Sequence, residues 1–237
     1  VVLSGVTESH AYVLFDRVGG HERWGDAQWE SAAARTLGET LRRLHVEVDV
    51  NESWQPPGSV GTSLTDRVNA AVAKASHELH TSGRRELMGV LTDAAAVVRE
   101  TSPTVGATHG DVTIGNVLFD VDAESCTLID WEMAAQFDGY FDVAKAELWL
   151  FQLFSPLFSL PESSVLAVFR TAYGASPADI RRIQAYKILQ LCQMVPRIER
   201  LGPYSSWKRR LDASCLDHVE SVLEQTICEC SFLSDPL

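Results

Sequence analysis

Three polar side chains, set around two short apolar runs, constrain the fold of this chain more than any other feature. His109-Gly110-Asp111 leads through Val112-Thr113-Ile114-Gly115 to Asn116, and then directly into Val117-Leu118-Phe119. A second run, Cys126-Thr127-Leu128-Ile129, ends at Asp130 and is followed by Trp131 and Glu132. Two such runs separated by a polar segment predict a β-hairpin, 117–119 against 126–129. A hairpin brings the loop before its first strand next to the residue after its second. The pattern therefore predicts that Asp111, Asn116 and Asp130 converge on one cleft. The plainer alternative is a polar loop beside a hairpin, with His109 and Asp111 bonded only to backbone.

The rest of the chain reads as mainly helical. Trp29, Ala33, Leu37, Leu41 and Leu44 recur at helical spacing and predict a helix over 27–45, with Asp26 as its N-cap. Residues 51–61 contain Pro56-Pro57-Gly58 and read as a loop. Helices are predicted over 64–80 and 84–100; Leu87, Val90, Leu91, Ala94, Val97 and Val98 mark the inner face of the second. Further helices are predicted over 139–154, stopped by Pro156, and over 162–173, 177–201 and 206–230. At the start, residues 1–3 and 11–15 predict two paired strands joined through 4–10, and Gly19-Gly20 ends the second.

Length and charge narrow the partners. The 237 residues are 46% hydrophobic, enough for a sizeable core. No apolar run approaches the roughly 20 residues that span a bilayer. Val1-Val2-Leu3-Ser4-Gly5-Val6-Thr7-Glu8 lacks the basic region of a signal peptide. Five cysteines without a paired C-x-x-C pattern argue against a disulfide framework and a zinc site, and point to reduced thiols in a cytoplasm. The formal charge of −12 argues against nucleic acid as a partner. It favours a cationic substrate, or serves as a solubility device; an acidic, lysine-poor chain also suits a salty cytoplasm.

The chemistry that uses such a set is phosphoryl transfer from a nucleotide. One carboxylate takes the acceptor's hydroxyl proton, while an amide and a second carboxylate hold the metal ion that bridges the phosphates. H-G-D-x-x-x-x-N followed by L-I-D-W-E resembles the aminoglycoside phosphotransferase and choline kinase families of small-molecule kinases, within the protein-kinase-like superfamily. The resemblance implies an α+β, mainly helical fold: a protein-kinase-like C-terminal lobe with small β-hairpins, preceded by a remnant of the N-lobe sheet. Residues 1–20 would be that remnant and the hinge, and 21–237 the helical lobe. It implies an ATP-dependent phosphotransferase acting on a hydroxyl of a small molecule such as an aminoglycoside, amino alcohol or sugar, with ATP and Mg2+ as cofactors and no membrane partner.

Residue by residue, the resemblance makes Asp111 the general base and Asn116 and Asp130 the Mg2+ ligands. Asp16, Arg17 and Val18 fall on the hinge that binds the nucleotide base through backbone groups. His109 would hold the loop by packing and hydrogen bonding. Asp142 corresponds to the acidic residue at a helix start that anchors the catalytic-loop backbone; its alternative role is a plain N-cap. Glu132 is either a water-mediated metal contact or a surface carboxylate. The sequence departs from the family in one respect. No glycine-rich loop precedes Val13 and no lysine occurs before Lys74, so the phosphate clamp of an N-terminal lobe is missing from it. It is therefore expected to fold but to hold nucleotide poorly, as either a fragment of a longer product or a shortened homologue, and the competing reading is a catalytically incomplete, kinase-like binding module or fragment.

Overall fold

A computed structural model describes residues 3–6, 11–14, 23–48, 64–100, 105–120, 122–153, 155–200 and 215–230. Helix α1, Ala27–Glu47, starts where Asp26 accepts from the Gln28 and Trp29 amides at 3.0 and 3.1 Å. Those bonds satisfy donors that an uncapped first turn leaves open. Its inner face carries Trp29, Ala33, Leu37 and Leu41, all buried. It packs along α5, Glu162–Tyr173, and forms the centre of the lobe with α6, Pro177–Arg200. Around α6 lie α2, Leu64–Ser82, α3, Met88–Glu100, and α7, Cys215–Cys230.

Among the described residues the strands form three antiparallel pairs. Leu3–Val6 (β1) pairs with Ala11–Leu14 (β2). Val105–Thr108 (β3) pairs with Ala135–Asp138 (β6), and Val117–Phe119 (β4) with Cys126–Leu128 (β5). Among the described residues the architecture is thus mainly helical with small sheets, as the motif predicted.

Several boundaries differ from the sequence reading. The first strand is described over Leu3–Val6, reaching beyond the expected 1–3, because the ladder that pairs Leu3 with Leu14 continues to Val6 opposite Ala11. The helix expected over 84–100 is a 3-10 turn, Arg85–Leu87, feeding α3. The helix expected over 139–154 is α4, Gly139–Ala146, running on as a π-helical stretch, Glu147–Gln152. The β3–β6 pair has no counterpart in the expectation. Its strands are short and carry Gly106, Gln136 and Asp138, so neither shows the apolar alternation that marks a strand. The expected hinge, including Asp16, Arg17 and Val18, and the expected loop over 51–61 lie outside the described residues. The final helix is described only from Cys215.

The π-helical stretch begins at a buried ionic knot. Glu147 accepts from the Arg170 guanidinium through both oxygens, at 2.6 and 2.7 Å, and from Lys187 Nζ at 3.2 Å. Burial alone would push the Glu147 carboxyl up; Lys187 and Arg170 outweigh it and hold it below the usual glutamate range. The knot joins the continuation of α4 to α5 and α6. No described helix is long and apolar enough to cross a membrane.

Candidate active site

The β3–β6 pair aims the loop that follows it. Thr108 ends β3, so the next residues, His109-Gly110-Asp111, leave the sheet beside the first turn of α4. There Asp142, fully buried, accepts from the His109 amide at 2.6 Å and from the Gly110 amide at 2.8 Å. The helix cap is a different carboxylate: Asp138, which accepts from the Tyr140 amide and is held by Arg182 and Tyr186. Asp142 is thus free to act as a clamp on the loop backbone.

A second layer holds the clamp. His45, at the end of α1, lies 3.2 Å from Asp142 through Nε2 and 2.9 Å from the Tyr173 hydroxyl through Nδ1. The ring lies so close to Gly139 that a side chain there would overlap it. His45 has no signal in the sequence, because its role depends on α1 and α4 being neighbours. Burial pushes the Tyr173 hydroxyl far above its ordinary value, so it stays protonated.

His109 is fully buried, and both its ring nitrogens are used. Nε2 donates to the Ile129 carbonyl at 2.8 Å, and Nδ1 accepts from the Asp111 amide at 3.2 Å. Its ring also meets Trp131, 4.6 Å between centroids. His109 therefore grips both neighbours of Asp130 while shaping the loop before Asp111. Gly110 sits at φ +81° against the Met133 carbonyl, where a side chain would be strained and would clash.

Asp111 is partly open to solvent and bonded through both oxygens. Oδ2 accepts from Asn116 Nδ2 at 2.8 Å, and Oδ1 lies 2.6 Å from Lys145 Nζ. Asn116 Nδ2 also donates to the Asp111 carbonyl at 2.9 Å. The Asn116 carbonyl accepts from the Ile129 amide at 3.0 Å, which extends the β4–β5 ladder by one step and sets Asp130 beyond it. Asp130 itself is exposed at φ +64°, and among the described residues its carboxylate has no hydrogen bond or ion pair. Glu132 is exposed as well. A cavity of about 550 Å³ lies elsewhere, between α1 and the turn of the β4–β5 hairpin, and none of these residues lines it.

Asp111 and Asn116 are thus in direct contact, and His109 ties the Asp130 turn to the same loop. Residues 2–186 match the model of a family described as the phosphotransferase enzyme family. The chain belongs to the phosphotransferase enzyme family. A search of curated protein sequences finds no match. Solved structures share the fold. An ethanolamine kinase of Plasmodium vivax is similar with a TM-score of 0.57 and 18% identity, over 91% of this chain and 67% of its own. An aminoglycoside phosphotransferase of Alicyclobacillus acidocaldarius has a TM-score of 0.53 and 15% identity, over 96% and 74%. One from Streptomyces rimosus, in complex with ADP and streptomycin, has a TM-score of 0.50 and 20% identity, over 71% and 65%. At these identities the likeness establishes the kinase-like fold. Within that phosphotransferase frame, Lys145 is the residue of the site that sequence reasoning missed. It lies on α4, outside the motif, and only the packing of α4 against the loop brings it to Asp111.

Proposed function

We propose that this phosphotransferase transfers the terminal phosphoryl group of ATP, with Mg2+, to a hydroxyl of a small molecule. The observation that carries the reading is the Asp111 carboxylate, presented on a clamped loop and bonded to Asn116 at 2.8 Å. Asp111 would orient the acceptor hydroxyl and take its proton late, as the loose transition state of phosphoryl transfer requires. Mg2+ favours hard oxygen ligands and takes one or two carboxylates along with phosphates and water. The residues fit it. The Asn116 amide nitrogen is spent on Asp111, which leaves its oxygen as the free end, and the Asp130 carboxylate is unpartnered among the described residues. When bound, the ion would neutralise charge on the phosphates. His109 and Asp142 would touch no substrate; they fix the loop. Asp16, Arg17 and Val18 are assigned to the hinge that holds the nucleotide base, with residues 1–20 belonging to the N-terminal lobe.

The ethanolamine kinase and the streptomycin complex among the similar structures support an amino-bearing acceptor, and the net charge of −12 suits one. Calorimetric titration with Mg·ATP tests the roles. Asp130→Ala is expected to weaken binding, whereas Asp111→Asn leaves it nearly unchanged, because the base acts on the acceptor. Equal loss in both variants would contradict the assignment.

A further inference from the structure

Lys145 is one of only four lysines in the chain. The last turn of α4 projects it onto the Asp111 loop. Its Nζ lies 2.6 Å from Asp111 Oδ1, 3.3 Å from the Gly110 carbonyl oxygen and 5.9 Å from the centre of the Phe141 ring. An ammonium group has three N–H donors. Two are accounted for by Asp111 and Gly110, and among the described residues the third has no acceptor. The side chains of the pair are 18% and 32% exposed, and a pair open to water to that degree adds little to stability. Stability therefore does not explain why a lysine sits there.

The transferred group does. In phosphoryl transfer, charge spreads over the three equatorial oxygens of the moving group, and cations placed around it lower the barrier. A hydroxyl that hydrogen-bonds Asp111 while attacking that group keeps it one hydroxyl's width from the carboxylate, and the Lys145 ammonium touches the same carboxylate. We infer that Lys145 binds the terminal phosphoryl group of the nucleotide and is a catalytic residue of the transfer, an assignment that rests on the phosphotransferase reading. The acceptor oxygen bonds to the terminal phosphorus, and the bond from that phosphorus to the bridging oxygen breaks. The electron pair leaves on the nucleoside diphosphate, and the hydroxyl proton passes to Asp111. Lys145 gives up no proton. Its third N–H donates to a phosphoryl oxygen while another stays on Asp111, so one side chain registers the base against the group it serves.

Binding distinguishes this from a structural role, because a nucleoside diphosphate lacks the terminal group. Wild type and Lys145→Met are titrated calorimetrically with Mg·ADP and with the non-hydrolysable triphosphate Mg·AMP-PNP. The ratio of the two affinities is the readout. Lys145→Met is expected to lose about ten-fold or more in AMP-PNP affinity, the range of a hydrogen bond to a charged group, and to keep ADP affinity within about two-fold. Lys145→Arg, which retains a cation, should restore most of the AMP-PNP affinity. Equal loss for both nucleotides, or no loss for either, overturns the proposal and leaves the phosphotransferase reading standing. Binding of neither nucleotide by wild type overturns that reading and this proposal with it. A measurement on wild type guards against a variant that fails to fold. Acylation of Lys145 by an N-hydroxysuccinimide ester, quantified by peptide mass spectrometry against the exposed Lys74, should be blocked by AMP-PNP and not by ADP; equal blocking by both would overturn the proposal.

Discussion

Glu147 and Asp111 each hold a lysine, at 3.2 and 2.6 Å, and differ in what surrounds the contact. Glu147 and Lys187 are both fully buried, and Arg170 bonds both Glu147 oxygens as well. Asp111 and Lys145 are partly open to water, and each has bonding capacity left over. A buried pair has no exchange partner, so it can only hold helices together, and losing one member strands a charge in the core. A partly exposed pair contributes less to stability and can trade water for a ligand. Of these two lysine contacts, the shorter is therefore not the one that stabilises the lobe more. Satisfaction and burial separate the structural cluster from the candidate site better than distance does.

That contrast can be broken at several points. Lys187→Met leaves Glu147 with Arg170 alone and should cost roughly 3–5 kcal/mol, read by denaturant unfolding; a loss below about 1 kcal/mol would erase the distinction. The same knot predicts a pH dependence. The Glu147 carboxyl is held below its ordinary value of 4.5 in the folded chain. Its contribution is therefore complete above that value and declines as pH falls through the lowered folded one. Glu147→Gln, though less stable, should lose this part of the acid dependence in unfolding measured across that range. Gly110→Ala, at a positive φ against the Met133 carbonyl, should cost on the order of 1–3 kcal/mol, read by thermal unfolding. Asp111→Asn should change stability least, by less than about 1 kcal/mol.

The sequence made α1, α5 and the β4–β5 hairpin legible because each carries its own signal: an Asp26 cap, apolar residues at helical spacing, paired apolar runs. It located Asp111 and Asn116 on one loop because the motif keeps them close in the chain. It could not show β3–β6, whose pairing is non-local and whose strands lack alternation. Nor could it show Lys145, His45 or the Glu147 knot, since those contacts join residues far apart in the chain and arise only when α1, α4, α5 and α6 pack together. The clamp at Asp142 was readable through the family resemblance; the cap at Asp138, four residues earlier on the same turn, was not.

Under the proposed function, the Asp111 loop would transfer phosphoryl groups and the Glu147 knot would only support it. Steady-state transfer from Mg·ATP to a panel of hydroxyl acceptors, ethanolamine and streptomycin among them, tests it when measured on wild type, Asp111→Asn and folded Lys187→Met. Wild type is expected to transfer at Mg·ATP concentrations high enough to offset weak nucleotide binding, Asp111→Asn to lose about 10²–10⁴-fold at nearly unchanged stability, and Lys187→Met to retain transfer at temperatures where it stays folded. Wild-type turnover in Asp111→Asn, or no transfer to any acceptor by wild type, would contradict it.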